Sequence, residues 1–169
     1  WAFAGASARR WVTPTARDGT GIHHPNLGLL LQQRMQALPD SGISRPLLLW
    51  HAQTALAAAR AGAGTESLRR STEALQTWVA ERREDAGAWQ LLAQCADQLG
   101  LKLRAVRAEA ESRAALGDIP GAVDRLRAGQ QLARSGAASD FIEASIIDAR
   151  LREMEARRRE LADEMRNQR

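Results

Sequence analysis

The sequence predicts an all-α protein: a superhelical array of antiparallel helix pairs, ended by a long polar capping helix at the C-terminus. Three observations carry this expectation. Aromatic residues are only 4% of the 169-residue chain, Ala and Leu are abundant, and β-rich runs are absent, a composition that favours helix. Two turns, Leu99-Gly100-Leu101-Lys102 and Leu116-Gly117-Asp118-Ile119, stand 17 residues apart, and five residues after each glycine comes a small residue, Ala105 and Ala122. After Glu153 the last helical stretch becomes strongly charged (Arg157-Arg158-Arg159-Glu160), the solvated ending that a stack of helices needs.

Residues 1–43 are the least regular part. Gly5, Pro14, Gly19, Gly21 and Pro25 interrupt any long helix, and one short helix over residues 27–38 ends at Pro39-Asp40-Ser41-Gly42. This stretch reads as a connector from an upstream domain, with Trp1, Phe3 and Trp11 as its docking side chains. The helical domain spans residues 44–169. Ser44-Arg45-Pro46 is an N-cap followed by a first-turn proline, and Leu47, Trp50, Thr54 and Ala58 follow at helical spacing up to Gly62 and Gly64. Thr65 caps a helix whose apolar face is Leu68, Leu75, Trp78 and Val79. Asp85 caps the helix with Trp89, Leu92, Ala96 and Leu99, and Leu103, Val106, Ala110 and Ala114 form the face of the next. Asp118 precedes Ile119-Pro120 and a face of Ala122, Val123, Leu126 and Leu132, closed at Gly136. Asp140 with Glu143 resembles a capping box and opens the longest helix, with Phe141, Ile142, Ile146, Ile147, Leu151, Met154, Leu161 and Met165.

The repeat positions expected to carry the packing are Trp78, Trp89, Ala93, Gly100, Ala105, Gly117 and Ala122. Small residues there let helix backbones approach at the short end of the packing range, and the two indoles fill gaps between layers. All but one of the 24 basic residues are arginine, the exception being Lys102, and the 20 acids interspersed among them leave a net charge of only +4. Without a basic stripe or an aromatic–basic motif, no nucleic-acid partner is expected. The single cysteine, Cys95, excludes an intramolecular disulfide framework and reads as a packing thiol. No stretch is apolar enough for a transmembrane segment. His23, His24 and His51 stand in no metal-ligand spacing, and no nucleophile elbow, phosphate loop or His-Glu-x-x-His helix occurs. The chain is therefore expected to be non-catalytic, with no metal and no cofactor of its own. It begins at Trp1 rather than Met and reads as a piece of a longer protein.

The 17-residue step is half of the roughly 34-residue unit of tetratricopeptide-repeat (TPR) arrays, which bind partners. The resemblance can be named more closely. Asp85-Ala86-Gly87-Ala88-Trp89-Gln90-Leu91-Leu92-Ala93, then Ala105-Val106-Arg107-Ala108-Glu109-Ala110-Glu111 with Ala114-Ala115-Leu116-Gly117-Asp118, resemble the TPR tail of bacterial M48-family zinc metalloproteases of the β-barrel assembly-enhancing type. Asp140-Phe141-Ile142-Glu143-Ala144-Ser145-Ile146-Ile147-Asp148-Ala149-Arg150-Leu151-Arg152-Glu153 is similar to the end of those proteins. The resemblance covers about residues 44–155. It implies a periplasmic parent in a Gram-negative bacterium whose zinc and catalytic residues lie in a domain upstream of this chain. This region would then recruit outer-membrane protein substrates or the barrel-assembly machinery, or contact its own protease domain. The alternative is a free-standing TPR-like adaptor with no attached enzyme.

Two helix frames are open for the partner-binding concave face. If residues 86–99 form the inner helix, Gln90, Gln94 and Asp97 face the partner; if residues 102–116 do, Arg104, Arg107 and Glu111 do. The Leu116-Gly117-Asp118 turn favours the second frame. All six also fit an ordinary solvated face.

Overall fold

The computed structural model describes residues 44–135 and 140–168; the expected helix over 27–38, the connector 1–43, His23, His24 and the closing Gly136 lie outside them. The described residues are all-helical, with no strand among them: α1 (Arg45–Arg60), α2 (Glu66–Glu81), α3 (Ala86–Gln98), α4 (Lys102–Ala115), α5 (Ile119–Arg134) and α6 (Phe141–Asn167).

Three helices start where an aspartate caps them. Asp85, Asp118 and Asp140 accept hydrogen bonds from the backbone N–H of Ala88, Gly121 and Glu143, satisfying donors that a first turn leaves unpaired. At Ser44 and Thr65 no side-chain cap bond forms; Pro46 supplies part of the first signal by removing one N–H that would need a partner. Only half of the capping box at Asp140 is present, because the Glu143 carboxylate is held by arginines of α4.

Both predicted glycine turns have one geometry. Gly100 and Gly117 lie at φ +76° and +82°. Around each, paired bonds close the helix end: Gly100 N–H to Asp97 O and Leu101 N–H to Ala96 O, then Gly117 N–H to Ala114 O and Asp118 N–H to Arg113 O. These are Schellman closures, and the left-handed glycine is what lets the chain reverse within two residues.

Neighbouring helices pack in chain order, with α4 most extensively applied to α3 and α5. Two apolar clusters result. Leu48, Leu56, Leu68, Leu75, Val79, Trp89 and Leu92 centre the first, from α1–α3. Ile119, Val123, Leu126, Ile147, Leu151 and Met154 centre the second, from α5 and α6. Helix α4 serves both, giving Ala108 to the first and Leu103 and Ala110 to the second. Ala105, Ala108 and Ala110 of α4 are buried, and so are Ala93 and Ala122.

The face of α1 differs from its expected stripe. Leu48, Ala52, Ala55 and Leu56 are buried, one register away from Leu47, Trp50, Thr54 and Ala58, and Trp50 is 52% exposed. Leu47-Leu48-Leu49 offers apolar side chains all round one turn, so contact with α2 and α3 chooses the face. Phe141, Ile142 and Met165 are also exposed, whereas Ile147, Leu151 and Met154 do the burying in α6. Among the described helices, those next but one meet at α1–α3 and α4–α6 only; the backbones of α2 and α4, and of α3 and α5, do not approach closely.

Substituting Gly117→Ala forces a left-handed residue to carry a Cβ and should cost about 1–2 kcal/mol. Ala122→Leu should cost about 1–3 kcal/mol by overpacking. Thr65→Ala, which breaks no side-chain cap bond, should stay within about 0.5 kcal/mol. Urea titrations followed by circular dichroism check all three.

Candidate functional site

Five of the six residues singled out for partner binding fall on two different seams, each joining a helix to the next but one. At the first, α4 runs alongside α6. Arg107 is 7% exposed and donates to Glu143 from Nε at 2.6 Å and from Nη2 at 3.3 Å; Arg104 donates to the same carboxylate at 3.0 Å. One helical step along, Arg150 forks onto Glu111 with two bonds of 2.6 Å and also pairs with Glu153. Burial alone would lower the Arg150 pKa, but the Glu111 and Glu153 carboxylates outweigh it and raise the pKa above its ordinary value. Trp89 lies on the other side of Arg107, its ring centroid 5.7 Å from the guanidinium carbon, within cation–π range. Arg107 and Glu111 are thus held inside the bundle, and Arg104 leans on the same carboxylate. The seam is closed by its own charges.

A second polar junction ties the first three helices together. Asp85 accepts two bonds from Arg45 at 2.6 and 2.7 Å, one from Trp78 Nε1 at 2.9 Å, and the capping bond from Ala88 N at 3.0 Å. The Arg45 guanidinium holds its carboxyl well below the usual carboxylate range; the Ala88 and Trp78 bonds act in the same direction, against the desolvation of burial. Trp89 Nε1 donates to Arg83 O at 3.0 Å, and Arg82 stacks over Trp78 at 3.9 Å. Both indoles therefore spend their N–H groups at the α2–α3 corner. Cys95 is fully buried, and that burial pushes its thiol up to about 11.

The other seam, between α1 and α3, is open. A groove of about 390 Å³ runs along it, lined by Gln53, Leu56, Ala57 and Arg60 of α1 and by Gly87, Gln90, Leu91 and Gln94 of α3. Its floor is apolar, from Leu56 and Leu91, which are 4% and 6% exposed. Its rim carries three amides and one guanidinium. Residues 50, 53, 57 and 60 recur at three and four residues on α1, so the exposed Trp50 extends the same stripe. Gln90 and Gln94 thus line the groove, whereas Asp97 is drawn to Lys102 at 2.7 Å. Gln53, Arg60 and Trp50 were not among the expected site residues. Their shared stripe on α1 is visible only once that helix's buried face is known.

Among the described residues, no three His, Cys, Asp or Glu side chains gather as a metal could require. No helix among them is long and apolar enough to cross a membrane. No family model matches the chain, and no curated protein is significantly similar to it.

Glu143→Gln removes the charge that balances buried Arg107 and should destabilise the chain by about 3–5 kcal/mol. Replacing both partners, Arg107→Met with Glu143→Leu, should restore most of that loss in the same denaturant titration. Asp85→Asn should lower stability at neutral pH through its lost carboxylate interactions. The folded Asp85 pKa is depressed, so its contribution is complete above the ordinary value of 3.8 and drains away as pH falls below it. The gap between variant and parent should therefore narrow in acid, measured by thermal unfolding across pH.

Proposed function

We propose that the chain is a non-catalytic protein-interaction domain, a TPR-like array whose α1–α3 groove receives an extended segment of a partner protein. The observation that carries this reading is the contrast between the two next-but-one seams. The α4–α6 seam is filled by its own salt bridges, while the α1–α3 seam keeps an apolar floor under a rim of Gln53, Gln90 and Gln94. Primary amides both donate and accept hydrogen bonds, which suits them to the alternating N–H and C=O groups of a peptide backbone. Specificity then comes from the floor and from Trp50, a large apolar surface beside a polar edge.

The sequence resemblance extends this reading to the parent protein. In it, the domain is the C-terminal part of a periplasmic M48-family zinc metalloprotease, and it holds outer-membrane proteins or their assembly machinery near the upstream protease cleft. Tethering raises the local substrate concentration at that cleft without any chemistry in this chain. Of the two frames open in the sequence, the one that presents Gln90 and Gln94 fits the groove.

Photo-crosslinking tests the reading directly. A benzophenone amino acid at Gln53 or Gln90 should capture outer-membrane proteins or barrel-assembly components from a Gram-negative envelope extract. The same probe at exposed Arg69 on α2 should capture far less. Equal capture from all three positions, or none at Gln53 and Gln90, would remove the groove from consideration.

A further inference from the structure

A second groove lies at the opposite end of the chain, between α5 and α6, and its charges are unbalanced in one direction. It encloses about 450 Å³ and is lined by Arg127, Gln130, Gln131, Arg134, Asp148, Leu151, Arg152 and Glu155. Both acids in that wall are already engaged: Glu155 accepts from Arg127 at 2.7 Å, and Asp148 accepts from Gln130 Nε2 at 2.8 Å. Arg134 and Arg152 have no acidic partner among the described residues. The wall therefore carries three guanidinium groups against two carboxylates, and among the described residues neither Arg134 nor Arg152 is held in an ion pair.

The pairings also fix direction. Arg127 meets Glu155 and Gln130 meets Asp148, so the helices run antiparallel and Arg134 lies toward the start of α6. Phe141 is there, 86% exposed. It lies two turns before Asp148, on the stripe of α6 that continues through Arg152 and Glu155. From Arg127 to Arg134 the groove is about 10 Å long at the rise of an α-helix, room for three or four extended residues.

We propose that this groove docks an acidic segment of a partner polypeptide, with carboxylates on Arg134 and Arg152 and one apolar side chain against Phe141. Charge complementarity selects the occupant. An arginine fork favours planar carboxylates, and the exposed ring selects a flanking apolar residue over a purely charged tail. The site is separate from the α1–α3 groove and needs no assumption about what that groove holds.

The test uses the 169-residue chain and a short fluorescent peptide carrying a leucine followed by spaced glutamates, read by anisotropy at low salt. The expected result is saturable binding that falls at least about tenfold in Arg134→Glu/Arg152→Glu, is weakened in Phe141→Ala, and is unchanged in Arg69→Glu. Circular dichroism of each variant should match the parent. The proposal is overturned if the glutamine version of the peptide binds equally well, or if charge reversal leaves binding intact. Displacement of the peptide by millimolar inorganic phosphate would also overturn it, because the groove would then be a simple anion site.

Discussion

A guanidinium can be buried only where a carboxylate and further polar or aromatic partners replace the water it loses. Arg107 meets that demand with Glu143, helped by the Gln76 side-chain oxygen and the Trp89 ring, and the placement of α6 follows from it. The charges paired across this seam run Arg104, Arg107, Glu111 along α4 and Glu143, then Arg150 along α6. Each acid therefore meets a base only in the observed register. Sliding α6 by two turns would bring Glu143 toward Glu111 and leave Arg107 unmatched. An ion network of this kind adds little net stability over an apolar seam, and its value lies in specifying one arrangement. That role suits α4, whose other contacts are mostly alanine and could tolerate several registers.

The same economy explains why only one of the two next-but-one seams is available to a partner. Helices α4 and α6 spend their polar side chains on each other. Helices α1 and α3 are fastened instead at one end, where Asp85 gathers Arg45, Trp78 and its own helix start. Beyond that junction Gln53, Gln90 and Gln94 have apolar floor beneath them and open space between them. The fastening makes the groove possible: it sets the spacing of α1 and α3 without filling the gap.

Much of the helical layout was legible in the sequence because its signals are local. Asp85, Asp118 and Asp140 cap the helices that follow them, and Gly100 and Gly117 reverse the chain as their spacing implies. The faces were less legible. Leu47-Leu48-Leu49 gives α1 apolar side chains on every side, and the choice of Leu48 over Leu47 and Trp50 depends on helices far along the chain. Arg107 and Glu111 look like solvated residues because their partners lie 36 and 39 residues away. One signal was present: Arg104 and Glu111 are seven residues apart, and Glu143 and Arg150 repeat that interval with the signs exchanged. Two helices written in opposite charge at one spacing are made for each other.

Helix α4, shared by both apolar clusters and tied to α6 by buried charge, should make the six described helices one cooperative unit. Native-state hydrogen exchange measures this most directly, by comparing amides of Leu75 and Val79 in α2 with those of Val123 and Leu126 in α5. Both sets should exchange only through the same global opening, with equal free energies and equal denaturant dependence. Exchange of the α2 amides through a separate, lower-energy opening while those of α5 remain protected would contradict it.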